Sequence, residues 1–198
     1  MEERKTERRP DNAGAGTQEN RIAQVTFEAK DLDLSVIKVE AKGVILRLWP
    51  KVDAVKRWMN ALPNGGLWAA RHYMCGHALY CAVGFYNEFY GDYVYRDGPC
   101  PATYKVGPDT VTVEGNGSFL AAAAQWGIGA GLLRMQDLVL SAEKVQINPV
   151  AGPDGKTIRS YVLADRLAVD RIVYGDDGEV QAIQIVNDRG GKVLWQKH

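Results

Sequence analysis

Hydrophobic and polar positions follow two different periods along this chain. The apolar residues around position 55 recur every three or four positions: Val52, Val55, Trp58, Met59 and Leu62. This period predicts an amphipathic helix over residues 52–62, which ends at the following Pro-Asn-Gly-Gly breaker. Residues 34–40 and 44–49 predict two short strands joined by a turn at Gly43, and residues 22–29 predict a strand or an extended arm.

The segment after this helix is rich in aromatic and β-branched residues, which favour strands. Residues 68–74, 77–87 and 93–96 are separated by short turns that contain glycine. They therefore predict an antiparallel meander of three strands. Residues 97–116 contain prolines and glycines and show little periodicity, so we expect a long connection there.

Residues 117–133 place four consecutive alanines before three glycines at alternate positions. A glycine loop that binds phosphate follows a strand and opens a helix. Here the order is reversed, because a segment of high helix propensity precedes the glycines. We therefore expect a helix that ends at Gly127, and we expect Gly129 to allow close approach of the segment that follows.

The last third of the chain again has strand character. Residues 144–148, 161–174, 180–187 and 192–196 are separated by Pro-Asp-Gly, Asp-Asp-Gly and Arg-Gly-Gly turns. Each of these turns is typical of a β-hairpin. We expect a small antiparallel sheet that either extends the core or forms an appendage.

Composition limits the class of protein. A length of 198 residues, 46% of them hydrophobic, predicts one domain with tails. The formal net charge of zero is unusual for a dedicated duplex-DNA binder. Residues 1–20 carry mixed charges and little to bury, so we expect a disordered tail. An odd number of cysteines, no secretory signal and no long apolar run favour a cytoplasmic protein that does not span a membrane.

One cluster of residues could carry metal or thiol chemistry. Histidines and cysteines alternate over a short segment: His72, Cys75, His77 and Cys81. Zinc takes four such ligands, but a short Cys-x2-Cys clasp is absent, so a small zinc- or thiol-dependent enzyme stays a secondary hypothesis and we assign no metal ligand.

The chain resembles a known family at the end of the predicted core helix. The string Trp126-Gly127-Ile128-Gly129 after alanines 121–124 is similar to phage single-strand annealing proteins of the Rad fifty-two/Sak-type superfamily. The likeness implies an α+β fold with an antiparallel β-β-β-α core over residues 21–135. The likeness stops near residue 135, and the turns beyond it predict that residues 136–198 form extra C-terminal β-hairpins packed on that core.

The resemblance implies a function without a cofactor. Such a protein binds single-stranded DNA as a ring or filament of identical subunits and anneals complementary strands. The basic residues nearest the first helix and first meander strand, together with one tyrosine, are then the expected DNA-binding residues: Arg47, Lys51, Lys56, Arg57, Arg71 and Tyr73. Net neutrality and an uncharged core helix keep an alternative open, an oligomeric scaffold of the same fold without DNA activity.

Tyrosines are concentrated in the predicted meander. Six of them fall between positions 73 and 95: Tyr73, Tyr80, Tyr86, Tyr90, Tyr93 and Tyr95. Aromatic rings on a sheet can stack with unpaired bases. Strand propensity, core packing and a subunit interface explain the same composition, and the sequence leaves both interpretations open.

Overall fold

The computed structural model describes residues 25–63 and 66–197. The fold is mixed α+β with antiparallel sheets, as the sequence predicts. The predicted disordered tail over residues 1–20 lies outside the described residues. The elements, in chain order, are a 3-10 helix Ala29–Asp31, β1 Leu32–Glu40, β2 Gly43–Pro50, α1 Val52–Asn60, β3 Trp68–Cys75, β4 Ala78–Asn87, β5 Asp92–Pro99, α2 Thr110–Gln125, α3 Ala130–Arg134, β6 Leu138–Ser141, β7 Ile147–Ala151, β8 Ile158–Leu163, β9 Leu167–Tyr174, β10 Val180–Asn187 and β11 Lys192–Gln196.

The strands form three sheets of three strands and one separate hairpin. In spatial order the sheets are β1–β2–β6, β3–β4–β5 and β11–β10–β9, and β7 pairs with β8. Every pairing is antiparallel, which the short hairpin turns of the sequence allow. The second sheet is followed in the chain by α2, so the order of these elements is β-β-β-α.

One hydrophobic core joins the N-terminal and C-terminal parts of the chain. Leu46 and Leu48 of β2 are buried together with Val55 of α1. Ile183 and Ile185 of β10 belong to the same cluster, so the C-terminal strands lie against the core. Strand β6, which the sequence does not reveal, pairs with β2 and completes the first sheet.

Helix α2 starts earlier than the sequence predicts. Residues 110–116 were expected to lie in a connection, and that expectation is wrong because Asp109 caps a helix there. The Asp109 carboxylate accepts a hydrogen bond from the Thr112 amide at 2.8 Å, which satisfies one of the free amides at a helix start. Gly115 and Gly117 lie inside this helix despite their low propensity.

The alanines of α2 pack directly on β5. A Cβ atom on Gly98 would lie 2.6 Å from the Ala122 amide nitrogen, so only glycine fits beneath the helix. The last helical residue is Gln125 and Trp126 is the C-cap, so Gly127 follows the cap, where the sequence predicts the glycine that ends the helix. Gly127 has a φ of +88° and Gly129 a φ of +73°. A Cβ on Gly129 would lie 3.1 Å from Cγ of Pro50.

Two other local expectations can be compared with the structure. Of the segment predicted as a strand or an extended arm, residues 25–28 form no strand, Glu28 has extended backbone angles and Ala29 starts the 3-10 helix, whereas residues 22–24 lie outside the described residues. The predicted strand over residues 161–174 is two strands, β8 and β9. They are separated at buried Asp165, whose carboxylate accepts hydrogen bonds from the Gln146 amide at 2.8 Å and from Arg189 at 2.7 Å.

Candidate nucleic-acid interface

The β3–β4–β5 sheet has one covered side and one open side. Cys81 and Val83 of β4 are fully buried, and Phe85 packs edge-on against Trp126 just after α2. Residues that pair directly across an antiparallel sheet share a side. The register therefore places five tyrosines on the opposite side, which we call the tyrosine face: Tyr73, Tyr80, Tyr86, Tyr93 and Tyr95.

The rings of the tyrosine face contact one another in two groups. Tyr73 stacks on Tyr80 with ring centroids 5.7 Å apart. Tyr93 lies 5.5 Å from Tyr86 and 6.0 Å from Tyr95, again between ring centroids. These separations are typical of favourable aromatic pairs. The rings thus form an ordered aromatic surface, although Tyr73, Tyr86 and Tyr95 remain more than a third exposed.

A glycine and an arginine fix the centre of this face. A Cβ on Gly84 would lie 2.6 Å from the ring of Tyr95, so the absence of a side chain lets that ring lie flat on the sheet. The Arg71 guanidinium carbon lies 4.7 Å from the Tyr95 ring centroid, within the range of a cation–π contact. Arg71 therefore has both a positive charge and a planar surface at the open side.

Few charges surround the tyrosine face. The Tyr73 hydroxyl donates a hydrogen bond to Asp97 at 2.8 Å, and this bond, followed by burial, raises the pKa of Tyr73. Between residues 68 and 99 the chain has two arginines and three carboxylates. The sheet by itself therefore offers little net positive potential to a polyanion.

Arg47 is used inside the protein. Its guanidinium donates to the Asp137 carboxylate at 2.9 Å and to the Leu133 carbonyl at 2.6 Å. These bonds tie β2 to Leu133 in α3 and to Asp137 just before β6. Arg47 was predicted to contact DNA, but its charge is already paired and its side chain is only 23% exposed.

The other predicted basic residues lie around α1. Lys51 donates to the Lys30 carbonyl at 2.7 Å, and Arg57 pairs with Asp31 at 2.6 Å. Lys56 lies on the α2 side, with its ammonium 5.6 Å from the ring centroid of Phe119. Of the six predicted DNA-binding residues, only Arg71 and Tyr73 lie on the tyrosine face.

The histidine and cysteine cluster does not converge on one point. His72 pairs with Cys81 on the helix side, whereas Cys75, an odd number of positions from His72, lies on the tyrosine side. Within the described residues no group of three or more His, Cys, Asp or Glu is placed to hold a metal ion. Burial raises the pKa of the Cys81 thiol to about 11, which disfavours the reactive thiolate.

The turn between β4 and β5 presents two further aromatic rings. Phe89 is 85% exposed and Tyr90 is 69% exposed. The side-chain oxygen of Asn87 accepts hydrogen bonds from both of their amides, at 2.9 and 3.3 Å. Sequence reasoning did not select this turn, although adjacent aromatic residues beside Asn87 and Gly91 were a visible signal.

Comparison with known proteins adds no relative. No protein-family model, curated protein or solved structure matches the chain. In the part of the chain that the structure describes, no helix is long and apolar enough to cross a membrane.

Proposed function

We propose that this protein binds single-stranded DNA on the tyrosine face and promotes the annealing of complementary strands, in the manner of phage annealing proteins with a β-β-β-α core. One observation carries the proposal: five tyrosine rings lie together on the side of the sheet that α2 leaves open. The covered side of the same sheet contributes Cys81 and Val83 to the core, whereas Tyr73, Tyr86 and Tyr95 stay more than a third exposed and accessible to a ligand.

The chemistry of the rings suits this role. Each exposed ring can stack on one base and stabilise it by about 1–3 kcal/mol. Stacking uses the flat surface of a base and leaves its pairing edge accessible, so a second strand can still test complementarity. The free energy of the reaction then comes from base pairing, and no cofactor is required.

Charge sets a further property of the binding. Arg71 is the predicted phosphate contact that lies on the tyrosine face. Arg47 and Arg57 lie elsewhere, and their charges already pair with Asp137 and Asp31. Each phosphate contact to a single strand contributes about 0.7 to the slope of log affinity against log salt. We therefore expect a shallow salt dependence, with stacking supplying most of the affinity.

The test is a titration of a fluorescent single-stranded oligonucleotide with each variant. Tyr73→Leu and Tyr86→Leu should each weaken binding by roughly 5- to 100-fold, since each removes one stacked base. The salt slope should stay unchanged in both. Arg71→Gln should instead lower the slope by about 0.7.

A matched control uses the same substitution elsewhere. Tyr161 lies on β8, outside the second sheet, and is half-buried. Tyr161→Leu should leave the affinity within twofold of the unsubstituted protein. Unchanged affinity in both tyrosine-face variants would contradict the proposal, and annealing of two labelled complementary strands should slow in parallel with the loss of affinity.

The second candidate is an oligomeric scaffold of the same fold without DNA activity. The excess of carboxylates over arginines in the β3–β4–β5 sheet favours it. The same titration separates the two: no binding at 20 mM salt, together with a mass that is a multiple of 21.8 kDa, would support the scaffold.

A further inference from the structure

Two side chains cross the tyrosine face in opposite directions. Tyr73 starts on β3, and its hydroxyl donates to the Asp97 carboxylate on β5 at 2.8 Å. Tyr95 starts on β5, and its ring centroid lies 4.7 Å from the Arg71 guanidinium carbon on β3. Since β4 lies between these strands, both side chains reach across it, and the Tyr95 ring does so above Gly84. The two contacts hold Asp97 and Arg71 at opposite edges of the face.

The register places these two charged groups in one row across the sheet. Ala82 of β4 pairs with Arg71 on one side and with Asp97 on the other. Neighbouring strands lie about 4.8 Å apart, so the backbones of β3 and β5 are about 10 Å apart in this row. The tyrosine face therefore has a guanidinium at one edge, aromatic rings in the middle and a carboxylate at the other edge.

The Asp97 carboxylate can accept a further hydrogen bond. An ionised carboxylate has two acceptor oxygens and no donor. In the described part of the chain, Asp97 accepts one hydrogen bond, from the Tyr73 hydroxyl to Oδ2, and the residue is exposed. Its other oxygen, Oδ1, is thus accessible to a donor on a ligand. Such a group attracts a ligand atom that donates a hydrogen bond and repels one that accepts.

The four bases differ in what they offer to a carboxylate. At the edge that faces the major groove of a duplex, cytosine and adenine present an amine, whereas thymine and guanine present a carbonyl oxygen. Aspartate accordingly pairs with the N4 amine of cytosine in protein–DNA recognition. The amine has two hydrogens and uses only one in base pairing, so a contact to Asp97 leaves the pairing edge of the base accessible.

We propose that the row from Arg71 to Asp97 binds one nucleotide in a fixed orientation and prefers cytosine or adenine to thymine or guanine. The phosphate lies at Arg71, the base stacks on the tyrosine rings, and the amine of the base donates to Asp97. Tyr73 is the positioning residue for that carboxylate. The inference rests on the function proposed above and adds a base preference to it, since stacking alone accepts every base.

The first experiment compares oligo(dC) and oligo(dT) of equal length in the same fluorescence titration. Both are pyrimidines, and they differ at C4, where cytosine has an amine and thymine an oxygen. The unsubstituted protein should bind oligo(dC) about fivefold more tightly, the value of one net hydrogen bond. Asp97→Asn should abolish this preference, because an amide accepts from the amine and donates to the oxygen equally well. Equal affinities in the unsubstituted protein, or a preference that survives Asp97→Asn, would overturn the proposal.

Asp92→Asn is the matched control. Asp92 is an exposed carboxylate on the same strand, but it lies an odd number of positions from Asp97 and therefore on the opposite side of the sheet. Its change removes the same charge and should leave the ratio of the two affinities unchanged. A ratio that falls equally in both variants would show an effect of net charge and would contradict the Asp97 contact.

Tyr73→Phe tests the positioning of the carboxylate. The variant keeps the ring for stacking and removes the hydroxyl that holds Asp97. Its affinity for oligo(dT) should stay within twofold, while the preference for oligo(dC) should fall to about twofold. A preference that stays at fivefold would contradict the role of the hydroxyl.

The same titrations separate failure of this inference from failure of the proposed function. Tight and equal binding of both oligonucleotides would contradict the base preference alone. No binding of either oligonucleotide would contradict single-stranded DNA binding on the tyrosine face, and the base preference with it.

Discussion

The first two sheets of this protein have the same number of strands and opposite relations to solvent. In β2, the centre of the first sheet, Val44, Leu46 and Leu48 are buried, and the alternate residue Arg47 is only partly exposed. In β3 of the second sheet Arg71, Tyr73 and Cys75 on the tyrosine face are exposed, and at this edge strand so are His72 and Met74 on the side of α2. The first sheet serves the core, whereas the second retains a surface that the described chain does not cover.

Arginine shows the difference most directly. Arg47 donates two hydrogen bonds within the chain, and one of its nitrogens, Nε, is buried without a hydrogen-bond partner. Arg71 contacts the ring of Tyr95 and keeps its guanidinium on the open side. An arginine tied into the fold has little charge left for a ligand, so proximity in the sequence is a poor guide to binding.

The largest expected effect comes from changing the helix-covered side of the second sheet. Gly98→Ala would place a Cβ 2.6 Å from the Ala122 amide nitrogen and 2.7 Å from the Ala121 carbonyl carbon. Backbone atoms of a helix cannot move aside cheaply, so we expect a loss of about 3 kcal/mol in the free energy of unfolding, measured by urea denaturation.

Gly115→Ala is the control for this substitution. Gly115 lies inside α2, and an added Cβ there would meet nothing within 4 Å. Alanine favours a helix more than glycine does, so this variant should gain about 0.5–1 kcal/mol. Equal effects at Gly98 and Gly115 would contradict the packing of α2 on β5.

The two arginines offer a smaller and more selective comparison. Arg47→Met should lower the free energy of unfolding by about 2 kcal/mol, because it removes two charge-assisted hydrogen bonds. The same substitution should leave the DNA affinity unchanged. Arg71→Met should cost less than about 1 kcal/mol, the usual value of an exposed cation–π contact, and should weaken DNA binding. Urea denaturation and oligonucleotide binding, measured on the same preparations, test both expectations. A larger stability loss for Arg71→Met together with a larger loss of DNA affinity for Arg47→Met would contradict the roles assigned to the two sheets.

The periodicity of hydrophobic residues predicted most helices and strands of the fold. It did not predict elements that depend on one capping residue or on a partner strand far along the chain. The helix at residue 52 and the meander strands follow from alternation and turn residues. The start of α2 at Thr110 depends on the Asp109 cap, in a segment whose glycines argue against a helix. Strand β6 is short and its partner β2 is about 90 residues away, so no local pattern reveals the pair.

The site was harder to predict than the fold. The sequence showed a concentration of tyrosines, but the side on which each ring lies depends on the register between strands. The predicted basic residues share only a position in the sequence near α1 and β3. Carboxylates that pair with them, such as Asp137 and Asp31, lie on distant segments of the chain.

The smallest expected effect distinguishes the two sides of the second sheet without altering stability. Cys75 lies on the exposed side, whereas burial raises the pKa of Cys81 to about 11 and also raises the pKa of Cys100. A raised thiol pKa lowers the thiolate fraction at pH 8, and only the thiolate reacts with a disulfide reagent. We therefore expect one fast-reacting thiol in the native protein and three after unfolding in urea.

Cys75→Ser should remove the fast reaction and leave the unfolding midpoint unchanged, because the Cys75 side chain is exposed. Cys81→Ser should leave the fast reaction intact and lower the midpoint, since it places a hydroxyl on the buried side among Val83 and the residues of α2. Two fast-reacting thiols in the unsubstituted protein would mean that α2 leaves the sheet often enough to expose both sides. In that case both sides of this sheet would be open, and exposure alone would no longer distinguish the tyrosine face as the binding surface.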